Sequence, residues 1–163
     1  MPMQLEGSCH CGAVSFRVQS HTPVPYQLCY CSICRKASGD GGYSINIGAI
    51  TATMQVTGRE NTALYHPRMP HLGPDAVSEG ERHFCTKCGS HLWAFDHNWA
   101  DYIYPVAGAI DTPLPVPPVL THIFLGSKAP WVSPKIGPDD TTFDEYPVLS
   151  LDDWHKERGL WVA

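Results

Sequence analysis

Apolar positions along the chain recur mainly with a period of two. "AVSFRV" sets Val14, Phe16 and Val18 on one face, the pattern of a strand with one buried side. Residues 42–50 and 51–56 predict two further strands, and "ALYH" around Leu64, "RHF" before Cys85 and "HLWAF" after Cys88 extend the series. "DYIYPVAGAI" and "THIFLG" are later strand candidates, with Pro105 marking an edge or a bulge in the first. Helical periodicity is scarce. "SICRKASG" predicts one or two turns after Cys31, closed at Gly39, and "SLDDWHKERG" predicts a short C-terminal helix. Ser150 would cap that helix, with acidic residues in its first turn and Arg158 then Gly159 at its end. Residues 66–81 read as a polar loop, and residues 111–120 as a proline-rich connection that cannot hold a central strand.

The expected fold class is therefore mainly β, built as one domain over residues 1–163, a length sufficient for a hydrophobic core. The 15 prolines and 14 glycines agree with short strands and loops. No apolar run approaches the ~20 residues of a membrane helix, so no membrane partner is expected. The opening "MPMQLEGSCHCGAVSF" lacks the basic start and apolar stretch of a secretion signal, which makes a cytoplasmic location the expectation. A formal net charge of −5 and the absence of any basic run argue against nucleic acid as a partner.

In a reducing compartment, closely spaced cysteines point to metal or catalysis before disulfides. The seven cysteines read Cys9-x-Cys11, Cys29-x-Cys31-x-x-Cys34 and Cys85-x-x-Cys88-Gly89. The last is a zinc knuckle, in which Gly89 tolerates the positive φ of the tight turn. A knuckle supplies two ligands, and a closed tetrahedral zinc needs two more. Two partitions make chemical sense. Cys9 and Cys11 can join Cys85 and Cys88, leaving Cys29, Cys31 and Cys34; or they can join Cys31 and Cys34, leaving Cys29 with the knuckle. The compactness of C-x-C-x-x-C favours the first, and either way the count is four plus three.

Four thiolates saturate zinc and act as a staple, whereas three leave a position for water or substrate. An ion held by three thiolates is a weak activator of water but suits a soft ligand such as a substrate thiol. The competing possibility is a second closed site, completed by His10, His83 or His91. A redox role for Cys31-x-x-Cys34 lacks the βαβ context such motifs occupy.

The segments "GSCHCGAVSF", "CYCSICRKASG", "FCTKCGSHLW" and, more loosely, "THIFLGSKAPW" resemble the glutathione-dependent formaldehyde-activating enzyme family, whose zinc domain is also found in centromere protein V. The resemblance implies a β-tent of small antiparallel sheets. It implies a structural Zn2+ on Cys9, Cys11, Cys85 and Cys88, and a second, catalytic Zn2+ on Cys29, Cys31 and Cys34. The implied activity joins glutathione to formaldehyde as S-hydroxymethylglutathione, a carbon–sulfur lyase reaction in reverse. Arg35 and Lys36, directly after the triplet, are candidates to hold a glutathione carboxylate or the developing alkoxide. One departure is Tyr30, where relatives often carry His between the first two triplet cysteines. His122 and Trp131 lie in the looser motif, where core and surface packing is at least as good a reading as a functional role. A non-catalytic zinc module that engages a protein partner or acts as a chaperone is the alternative, and the three-cysteine remainder is what separates it from an enzyme.

Overall fold

The computed structural model describes residues 1–163. Strands β1 (Met3–Ser8), β2 (Ser15–Ser20) and β5 (Gln55–Thr57) form an antiparallel sheet in the order β1-β2-β5. The period-two reading of β2 holds: Phe16, Val18 and Ser20 are buried, and the residues between them are not. A five-stranded antiparallel sheet runs β4 (Ala49–Ile50), β9 (Tyr102–Pro105), β8 (His91–Phe95), β7 (Glu81–Cys85) and β6 (Thr62–Tyr65). The third sheet is parallel and draws on remote stretches: β3 (Gln27–Cys29), β10 (Thr121–Ile123) and β11 (Thr141–Thr142), with β10 central. Parallel pairing needs a long crossover, here residues 30–120 between β3 and β10.

Both helices form where the capping residues predict. Helix α1 (Ser32–Ser38) starts at Cys31 and closes at Gly39, whose N–H donates to the Arg35 carbonyl. Helix α2 (Leu151–Glu157) is capped by the Ser150 hydroxyl, which accepts the Asp153 N–H at 3.0 Å. Asp152 and Asp153 occupy its first turn, and Gly159 follows at φ 65°. It docks by stacking Trp154 on Tyr26, and His155 Nε2 accepts the Val24 N–H at 3.2 Å. No helix is long and apolar enough to cross a membrane.

Residues 42–50 depart from the expected continuous strand. Only Ala49–Ile50 qualifies, while Ser44, Asn46 and Gly48 make single bridges to Cys29, Val106 and Thr22. The segment changes partner every two residues and so stitches the sheets together without belonging to any one of them. Residues 51–53 likewise form a 3-10 turn before β5 instead of extending it. The main core gathers Leu5, Val14, Phe16, Val18, Ile47, Leu92 and Trp93, with Phe16 edge-on to Trp93 at 5.6 Å. Cys9 and Cys85 belong to that same core, which ties one cysteine cluster directly to the packing of the fold.

Candidate metal centre

The chain brings the seven thiols together as four and three. The sulfurs of Cys9, Cys11, Cys85 and Cys88 lie within 4.8 Å of one another, as do those of Cys29, Cys31 and Cys34. This is the first of the two partitions. No histidine joins either group, so the triplet is not completed by His10, His83 or His91. His83 instead bonds Glu81 at 2.7 Å and stacks on Trp93.

The four-thiol cluster joins two turns. Cys9 ends the run from β1 and Cys11 lies in the connection to β2; Cys85 closes β7 and Cys88 lies in the turn to β8. Each turn contains a glycine at positive φ, Gly12 at 77° and Gly89 at 76°, as the knuckle reading requires. Around a tetrahedral ion with ~2.3 Å bonds, sulfurs stand ~3.8 Å apart. Cys9–Cys11 at 3.6 Å and Cys11–Cys85 at 3.8 Å match that spacing. Backbone N–H groups support the charge: Val14 N–H donates to Cys9 Sγ at 3.2 Å. The Ser90 hydroxyl, followed by the N–H groups of Ser90 and Cys11, holds the Cys88 thiol down at about 5. The Ser90 hydroxyl also accepts the His10 N–H at 3.1 Å, joining the two turns outside the sulfurs. The donor set fits a closed zinc site.

The triplet is built by a strand end and a helix start. Cys29 is the last residue of β3, fixed through its backbone to Ser44 on one side, while Tyr30 N–H donates to the Ile123 carbonyl on the other. Cys31 is the N-cap of α1, and its sulfur accepts the Cys34 N–H at 3.3 Å. Cys34 thus returns to the same point one turn into the helix. Hydrogen bonds from the Cys29 thiol, then the Cys34 thiol, outweigh burial and push Cys31 down to about 2. Cys29 is pushed up by sharing that bond.

Two polar side chains reach Cys34 Sγ. The Arg82 guanidinium lies at 3.7 and 3.8 Å, and the Asn46 amide at 3.7 Å. Arg35 does not face the triplet; it lines a separate cavity with Lys36 and His91. Sequence reasoning assigned the cation nearest along the chain and missed Arg82, which β7 delivers from 48 residues away. The available signal was its place in "ERHFC", three residues before a knuckle cysteine.

The residue between the first two triplet cysteines anchors a buried chain. Tyr30 and His122 are almost fully enclosed. His122 Nε2 faces Asp140 Oδ2 at 3.3 Å, and the Tyr30 hydroxyl faces His122 Nδ1 at 2.9 Å. A carboxylate only accepts, so in the neutral imidazole Nε2 carries the proton and the tyrosine hydroxyl donates to Nδ1. Asp140 is held below the usual carboxylate range by the N–H groups of Leu120 and Gly137. Trp131, by contrast, is exposed.

All three thiols line a cavity of about 970 Å³ whose other walls include Arg82, Asn46, Phe124, Trp99 and Tyr104. Fold and site together define a β protein with one closed four-thiol cluster and one open three-thiol cluster facing a cavity. A profile of the glutathione-dependent formaldehyde-activating enzyme family matches residues 4–127. A curated protein of Halomonas elongata, named "Putative glutathione-dependent formaldehyde-activating enzyme", is 48% identical over 158 residues, covering 97% of this chain and 98% of that one. A crystal structure of a Rhodobacter sphaeroides protein shares the fold, with a TM-score of 0.51 at 24% identity over 68% of this chain and 91% of that one. The chain belongs to the glutathione-dependent formaldehyde-activating enzyme family.

Proposed function

We propose that the protein is a zinc-dependent carbon–sulfur lyase that interconverts glutathione and formaldehyde with S-hydroxymethylglutathione. The observation that carries this reading is the three-thiol cluster, uncompleted by any fourth side chain and open to a large cavity. A second zinc would be held by Cys29, Cys31 and Cys34, and the chemistry it supplies is to accept an incoming thiol as thiolate. Cys9, Cys11, Cys85 and Cys88 would hold a structural zinc.

The chain's own residues do the rest. Arg82 offsets the negative charge of three thiolates and, with the Asn46 amide, offers donors beside Cys34 where the aldehyde oxygen gains charge. In the forward direction the carbon–sulfur bond forms and the thiol proton ends on the aldehyde oxygen. In reverse that bond breaks, the hydroxyl proton is lost as the carbonyl reforms, and sulfur leaves as thiol. Tyr30, tied to His122, holds the cysteines on either side of it in place.

Thiols add to formaldehyde readily unaided, so the assay belongs near pH 6, where a thiol of pKa ~8.5 is mostly protonated and the background is slow. Exchange NMR with 13C-formaldehyde and glutathione reads the interconversion rate directly. The zinc-loaded protein is expected to raise it, and Cys31→Ser, still folded with one zinc, is expected not to. A rate at background with two zinc ions bound would sink the reading and leave a non-catalytic zinc module.

A further inference from the structure

Phe124 is the one residue other than glycine with a positive φ, at 57°. An L side chain is strained in that left-handed region and glycine is not, so the turn after β10 holds a ring where none is the easier choice. The turn is pinned. The N–H groups of Phe124, Leu125 and Gly126 donate in succession to the carbonyls of Glu145, Phe143 and Asp144, at 3.0, 3.1 and 3.2 Å. The same returning segment sets Tyr146 edge-on to Phe124, with ring centroids 4.7 Å apart. Backbone strain held this firmly points to a role for the ring, and its position supplies one. Phe124 packs against the cluster of Cys29, Cys34 and Ile123, and it lines the cavity onto which the three thiols open.

That cavity is poorly matched to formaldehyde. At about 970 Å³ it stands at the top of the ~300–1,000 Å³ range of small-molecule sites. Formaldehyde has no apolar group, and glutathione is a chain of carboxylates, amides and an ammonium. Charged side chains of both signs, Arg68 and Lys156 with Asp96 and Asp153, line the cavity and suit those ends. Neither molecule suits the aromatic wall, in which Phe124 beside the thiols is joined by Phe95, Trp99, Tyr104 and Tyr146. Trp99 is 66% exposed and Tyr146 77%, so packing within the chain does not use up their faces. Uncovered aromatic surface gains by burying an apolar ligand, and it offers edge and face contacts to another ring.

We propose that the aldehyde handled at the three-thiol site carries an aryl group, which packs against Phe124 while the carbonyl carbon lies at the thiols. The inference rests on the function proposed above for its thiol partner, and extends the aldehyde from formaldehyde to an aromatic aldehyde as the preferred one. The chemistry is the same. Glutathione sulfur bonds to the carbonyl carbon and the thiol proton ends on the oxygen, or the reverse, and no oxidant or reductant is needed.

The test reads binding first, on the zinc-loaded full chain, with thioethers that cannot react: S-methylglutathione, S-hexylglutathione and S-benzylglutathione. Isothermal titration calorimetry is expected to show the benzyl thioether bound about tenfold or more tighter than the methyl one, with a more negative heat-capacity change from the buried ring. Phe124→Gly removes the ring and the strain together, so it is expected to fold and to lose that preference. Phe124→Leu keeps apolar bulk and serves where the glycine variant does not fold; it is expected to bind the hexyl thioether at least as well as the benzyl one. Equal affinities for the benzyl and methyl thioethers in the wild type, or no binding of either at millimolar concentration, overturn the proposal. Hexyl binding as tight as benzyl overturns its aromatic half, and a benzyl preference kept in both variants overturns the assignment to Phe124. Exchange NMR then compares benzaldehyde with formaldehyde, and a higher kcat/KM is expected for benzaldehyde. Formaldehyde exchange above background with equal thioether affinities fails this inference alone; a benzyl preference with both exchange rates at background fails the lyase reading alone.

Discussion

Replacing Tyr30 with Phe removes one atom from the centre of the site. The ring remains, stacked near His122 at 5.8 Å between centroids and tilted against Tyr43 at 5.4 Å, so packing is preserved and only the 2.9 Å hydroxyl bond is lost. His122 is 1% exposed, and in the neutral ring, with its proton on Nε2 toward Asp140, Nδ1 is left buried with no donor. Stranding a buried acceptor costs about 1–3 kcal/mol. In a chain of this size each kcal/mol moves Tm by about 2–4 °C, so a central value of about 2 kcal/mol predicts a fall of about 4–8 °C. The loss also frees the residue between Cys29 and Cys31, so zinc at the triplet should pass faster to a competing chelator, with the four-thiol site unaffected. Thermal unfolding followed by near-ultraviolet circular dichroism in excess zinc reads the first effect, and a chelator chase reads the second. An unchanged Tm together with unchanged zinc loss would refute the assignment of Tyr30 as the brace of the triplet.

Cys85→Ser removes a ligand candidate that is fully buried in the main core, and the variant is expected to lose zinc and cooperative unfolding together; native-like melting would break the link between that cluster and the fold. Arg82→Gln is expected to lower the exchange rate by about 10²-fold, in the range for losing one donor to a developing oxyanion, with circular dichroism unchanged. A wild-type rate would remove Arg82 from the site. His91 sets a pH dependence: its folded value lies near 4, below the unfolded 6.5, so the unfolded chain binds the proton first. Its contribution is complete above about 6.5 and lost as pH falls toward about 4, so the Tm difference between wild type and His91→Gln should change across that window, and a constant difference would contradict its buried neutral state.

How far the sequence reaches depends on how local each feature is. The helix end at Gly39, the cap at Ser150, the positive φ of Gly89 and the alternation of β2 are set by residues within a few positions, and each is legible. The four-plus-three arithmetic is also legible, because thiol chemistry limits how seven cysteines can divide. The choice between partitions is legible only in part: the compactness of C-x-C-x-x-C favours the first, whereas its closure depends on β7 bringing Cys85 beside Cys11 from 74 residues away. Arg82 is hidden for the same reason: a cation adjacent in sequence to Cys34 points along the helix into another cavity, and the one that touches the sulfur arrives on a different sheet. Residues 42–50 mislead because alternation signals extended backbone without saying whether one partner strand runs alongside. The parallel pairing of β3 and β10 leaves no local trace either, yet it places His122 against Tyr30 and so braces the triplet.

Native mass spectrometry of the gently purified chain, with and without glutathione, tests the proposed open three-thiolate zinc most directly. Two zinc ions are expected in the wild type and one in Cys31→Ser, with glutathione binding retained only where the second ion is present. A single zinc in the wild type, indifferent to glutathione and to the loss of Cys31, would contradict the account and leave the four-thiol staple as the only metal site.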